Sequence, residues 1–175
     1  MTVIDKIYGY PLWLIPFIML VGIICLVLFS RKHSPQILQR INIALLILGL
    51  LGIARFTLLG RTPTDTHIFI LRPFESFAKA KIEPEYYRSM LMNIFLYYPM
   101  GLALPYVLSK HFKYCHLWTI LIALAMTTCI EYSQYYFGTG YGEVDDILCN
   151  TLGALVGSLA YLITKIGSTH KNATD

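Results

Sequence analysis

Charge is what this sequence has least of. Of its 175 residues only 14% are Asp, Glu, Lys or Arg, whereas 56% are hydrophobic, and the mean hydropathy is +0.58. Soluble domains carry about 25% charge, so a freely soluble globular enzyme is excluded. The net charge of +4 is spread along the chain with no basic run, which removes nucleic acid as a partner. Cysteine is scarce as well. Cys25, Cys115, Cys129 and Cys149 fall within or at the ends of apolar runs, in no metal-ligand spacing, and read as packing residues rather than disulfides. Histidine is too sparse for a zinc hydrolase, because His67 stands alone on its side of the chain, opposite His33, His111, His116 and His170. A nucleophile elbow, a glycine-rich phosphate loop and internal repeats are all lacking. The first apolar run has no small-x-small cleavage site, so it is expected to be retained.

What the chain does contain is five apolar runs, at about 11–30, 41–60, 90–109, 115–137 and 144–166. Each approaches the roughly 20 residues needed to cross a bilayer. In lipid such runs must be helical, since an unpaired backbone group there finds no water. The expectation is therefore an all-α, five-span membrane protein, one integral domain over 1–175. The Arg31-Lys32 pair directly after the first run is a cytoplasmic anchor. It places the N-terminus outside the cell membrane and the C-terminus in the cytoplasm. The connection between the second and third runs then lies outside, with Arg61, Asp65, Arg72, Glu75, Lys79, Lys81, Glu83, Glu85 and Arg88.

The polar residues inside the runs share one end. Arg55 closes the second run, Asn93 opens the third, Glu131 and Gln134 close the fourth, and Asp145, Asp146 and Asn150 open the fifth. With alternating spans all of them fall within roughly 10 Å of the outer surface at 1.5 Å per residue. A charge facing lipid costs about 2.5–3.5 kcal/mol, so Arg55 and Glu131 are expected to face one another or a watery recess. The cytoplasmic halves carry no titratable group to match, which argues against a channel. Adjacent carboxylates diverge on a helix, so only one of Asp145 and Asp146 turns inward. Asp146 is preferred, because it shares a face with Asn150, Gly153 and Gly157. The Gly153–Gly157 spacing itself reads as close helix packing. The tyrosines 97, 98, 132, 135, 136 and 141 read mostly as an interfacial belt. The stretch HIFILRPF is expected to lie at the interface, as part of a lid that brings Arg61 or Arg72 over the recess.

Several of these segments together are similar to a known family. NIFLYYPMG (93–101), IEYSQ (130–134), DDILCNTLGALVG (145–157), FTLLGR (56–61) and LRPF (71–74) resemble the VanZ-like bacterial membrane proteins, over about residues 56–161. The resemblance carries the family's recurrent positions onto Arg61, Pro73, Phe74, Asn93, Pro99, Gly101, Glu131, Gln134, Asp146, Asn150 and Gly153. Two positions depart from it. Ile70 stands where relatives often have Asn, and GTGYGEV lacks an Arg that they often place before the aspartate. The family is named for a protein linked to resistance to teicoplanin and other lipoglycopeptides, so a role in glycopeptide antibiotic resistance is implied. The expected ligands are a lipid-linked wall precursor, a lipid head group or a glycopeptide, beside the membrane lipids themselves.

In the enzymatic form of this reading Glu131 and Asp146 act as acid and base, while Arg55, Arg61 and Arg72 hold an anionic group. Asn93, Gln134, Asp145 and Asn150 complete the wall. No cofactor is expected, with a carboxylate-held Mg²⁺ or Ca²⁺ on Glu131 and Asp146 as the alternative. The rival reading is a scaffold whose polar cluster only locks the helices.

Overall fold

Six helices and two very short strands are formed by the described residues. The computed structural model describes residues 13–30, 34–59, 61–64 and 67–169. Lys6, Arg31, Lys32, Asp65 and Lys171 lie outside the described residues, and with them the proposed cytoplasmic anchor pair. Helix α1 is Leu14–Ser30 and α2 is Pro35–Thr57, which opens with proline in its first turn behind Ser34. Strand β1 is Phe69–Ile70 and α3 is Glu75–Ala80. Helix α4, Glu85–Leu108, continues through Pro99 and Pro105. Helix α5 is Cys115–Tyr136, β2 is Gly142–Glu143, and α6 is Val144–Thr169.

Helices α2, α4, α5 and α6 are each long and apolar enough to cross a membrane, whereas α1, described over 17 residues, is a shorter apolar helix. By length and composition the chain is thus a multi-pass membrane protein. Leu48, Leu51 and Leu121 point outward from the bundle, as lipid-facing side chains do.

Helices α4 and α6 form the centre, with α2 packed on α4, α5 on both, and α1 laid against their far ends. The central pair touches backbone to backbone. A Cβ on Gly153 would come within 2.1 Å of the Ile94 carbonyl oxygen, on Gly157 within 2.3 Å of that of Tyr98, and on Gly101 within 2.2 Å of that of Ala154. Lipid gives little hydrophobic drive for helix pairing, so close van der Waals approach at small residues supplies it. Tyr97, Met100, Ala123 and Ala154 fill the space beside this seam, and Tyr98 closes it toward α1 with a hydrogen bond to the Met19 carbonyl (3.2 Å). Tyr97 and Tyr98 are therefore core residues and leave the expected belt, while Tyr132, Tyr136 and Tyr141 remain exposed.

Gly153→Ala should cost about 2 kcal/mol or more, because the clash is with rigid backbone and the helices must separate. Gly22→Ala, where nothing lies within 4 Å, should be neutral or stabilising. Thermal unfolding of the two variants in detergent checks this contrast.

Candidate functional site

The long connection after α2 does not hang free. Strand β1 pairs in parallel with β2, Phe69 opposite Gly142 and Ile70 opposite Glu143. The Thr64 amide and hydroxyl both donate to the Gly138 carbonyl, at 2.7 and 3.0 Å. His67 Nδ1 lies 2.8 Å from the Tyr135 carbonyl. The connection is thus stitched along the turn between α5 and α6. Gly142 makes this possible, since a Cβ there would meet the Phe69 ring at 2.5 Å.

Asp145 completes the attachment. Its two oxygens accept from the Phe74 amide at 2.6 Å and the Ser76 amide at 2.7 Å. Phe74 is the one non-glycine residue with positive φ among those described, at 65°, a strain of order 1–3 kcal/mol. A buried carboxylate holding the start of α3 offsets it. Asp145 is accordingly a clamp on the connection, and it does not face the open recess.

The other polar residues converge as expected, each onto a different element. Glu131, only 2% exposed, accepts from the Glu143 amide at 3.2 Å. Gln134 donates to the Thr57 carbonyl at 3.2 Å and accepts from Arg61 at 3.2 Å. Asn93 donates to Asp146 at 2.6 Å. Asn150 donates to Thr127 at 2.8 Å. The close end of α2, the starts of α4 and α6 and the end of α5 are joined through these side chains.

The three arginines behave differently from one another. Arg61 enters the turn, its guanidinium lying where a Cβ on Gly140 would come within 2.6 Å. Tyr141, in the same turn, is exposed. Arg55 is exposed on the outer face of α2 and donates to the Leu59 carbonyl at 3.1 Å. It does not face Glu131, because four residues of helix let its side chain climb toward the end of its own helix instead. Arg72 is exposed. Of the expected cationic clamps only Arg61 reaches the polar cluster.

A cavity of about 270 Å³ opens between α3, the start of α4, and β2 with the start of α6. It is lined by Ser76, Glu83, Glu85, Tyr86, Ser89, Met90, Glu143 and Asp146. Of the nine expected site residues only Asp146 lines it. Glu83, Glu85, Ser89 and Glu143 were missed, since on the sequence they look like solvated loop and helix-start residues. The signal in the sequence is Pro84 between two glutamates at the start of α4, and both glutamates line the cavity. Among the described residues no three His, Cys, Asp or Glu converge as a metal centre.

Glu143 sits just before α6, and burial pushes its carboxyl above the ordinary carboxylate range. Lys79 pulls the other way, and Asp145 and Glu75 add to the rise. A raised folded-state value means that the fold holds the proton more tightly than the unfolded chain. This contribution to stability is full below the ordinary Glu range and is lost as pH rises through the folded value. Glu143→Gln should therefore gain stability relative to the parent chain as pH is raised from 4 to 8, measured by thermal unfolding in detergent. A constant difference would show that Glu143 ionises in the fold as it does in water.

One family profile, described as VanZ/LLP1, matches residues 17–165. No curated protein and no solved structure matches the chain. The match extends past the 56–161 region of the motif resemblance and covers most of α1.

Proposed function

Because the chain belongs to the VanZ/LLP1 family, we propose that it is a five-span cell-membrane protein that recognises a polar cell-envelope molecule at an outward-facing recess. The N-terminus lies outside and the C-terminus in the cytoplasm, and the connection carrying β1 and α3 roofs the recess. The observation that carries this reading is the cavity lined by Asp146, at the end of the bundle where Glu131 and Gln134 of α5 and Asp145 and Asn150 of α6 are buried.

The lining favours one ligand chemistry. Glu83, Glu85, Glu143 and Asp146 offer acceptors and negative charge, and Ser76 and Ser89 offer hydroxyls. A hydroxyl-rich group bearing an amine suits these walls better than the anion expected from the arginines. Lipid-linked wall precursors, amine-bearing lipid head groups and glycopeptides remain the candidate class, with resistance to glycopeptides as a consequence of binding them.

Recognition is favoured over modification. An acid–base pair must reach the ligand together, and Glu131 is buried behind Glu143 while Asp146 lines the cavity. The scaffold reading has its own support in the cross-links made by Glu131, Gln134, Asp145 and Asn150. The two readings divide the residues: the buried ring holds the helices, and the cavity above it binds.

A photo-crosslinking amino acid in place of Ser89, activated in living cells, should capture an envelope molecule identifiable by mass spectrometry. Asp146→Asn in the same background should lose that capture while thermal unfolding in detergent stays cooperative. Equal capture with a folded Asp146→Asn protein would overturn the reading.

A further inference from the structure

One turn below Asp146, three polar side chains meet in the interior of the bundle. Asn150 of α6 is 1% exposed, Thr127 of α5 and Tyr97 of α4 are 0% exposed. Asn150 uses its amide nitrogen on the Thr127 hydroxyl at 2.8 Å. The Tyr97 hydroxyl lies next to Thr127, but it meets no partner at full hydrogen-bond geometry, and neither does the Asn150 amide oxygen. Each residue comes from a different helix of the central packing, and Thr127 stands beside both.

We infer that Tyr97, Thr127 and Asn150 form an internal water-binding site between α4, α5 and α6. The two open groups are complementary. Tyr97 has a proton to give and Asn150 an oxygen to receive one, and a water molecule accepts the first and donates to the second. Thr127 adds a third partner, which falls within the range that buried waters make. Leaving both groups unpaired in an apolar interior is costlier than ordering one water. A cation fits worse, because all three side chains are neutral and the Tyr97 hydroxyl would turn its proton toward it. The site also explains why these polar atoms survive at a depth where Ala123, Ile130 and Ala154 form the surrounding core. It stands whether or not the cavity above binds an envelope molecule.

Radiolytic footprinting of the full chain in lipid nanodiscs, with ¹⁸O-labelled water as the probe, tests this. Hydroxyl radicals formed from a bound water oxidise the side chain beside it. Tyr97, though fully buried, should incorporate ¹⁸O as the exposed Tyr132 and Tyr136 do. Asn150→Leu, or Thr127→Val should the first fail to fold, should abolish labelling of Tyr97 and leave Tyr132 unchanged. A Tyr97 that stays unlabelled in the parent chain while Tyr132 is labelled would overturn the inference, and so would Tyr97 labelling unchanged in a folded variant.

Discussion

The backbone contact between α4 and α6 is the constraint on which the remaining structure depends. At Gly101, Gly153 and Gly157 each helix occupies the volume that a side chain of the other would need. This fixes the register of α6 on α4, and register decides which residues of the two helices meet. Asn93 comes opposite Asp146, and Asp145 is left facing away from the seam toward the connection. A shift of one residue along α6 would turn Asp146 by about 100° and dissolve that arrangement.

From this seam the polar end is assembled by neutral or singly charged contacts rather than ion pairs. Among the described residues the salt bridges are the local ones, Lys79 with Glu75 and Arg88 with Glu85. Inside the bundle a carboxylate meets amide hydrogens, and an arginine meets an amide oxygen. Such contacts avoid bringing two full charges out of water, where desolvation can exceed the attraction gained. They also leave carboxyl groups gathered at the cavity, where Glu85 is paired with Arg88 while Arg61 is committed to Gln134 and Arg55 to its own helix end.

Much of this could be read from the chain itself. The apolar runs predicted α2, α4, α5 and α6 to within a turn or so at most ends, and the common depth of Glu131, Gln134, Asp146 and Asn150 placed them at one end of the bundle. Gly153 and Gly157 announced the close seam, and the divergence of Asp145 from Asp146 followed from helix geometry. Other features were hidden for physical reasons. The pairing of Phe69–Ile70 with Gly142–Glu143 joins segments over seventy residues apart and only two residues long, which leaves no periodicity to detect. Arg55 could not be placed from its depth alone, since a long flexible side chain chooses between a partner helix and the end of its own. Tyr97 sits beside Tyr98 in a sequence that looks interfacial, and only the seam reveals that both are core.

The account's central claim is that the end of the bundle carrying Asp145, Asp146 and the cavity faces the outside of the cell. Cysteine introduced at Thr139, in the turn between α5 and α6, measures this directly with a membrane-impermeant maleimide, the parent chain serving as the blank for its own cysteines. The account predicts labelling in intact cells. Labelling that requires permeabilisation would contradict it and would turn the recess, and whatever it binds, to the cytoplasm.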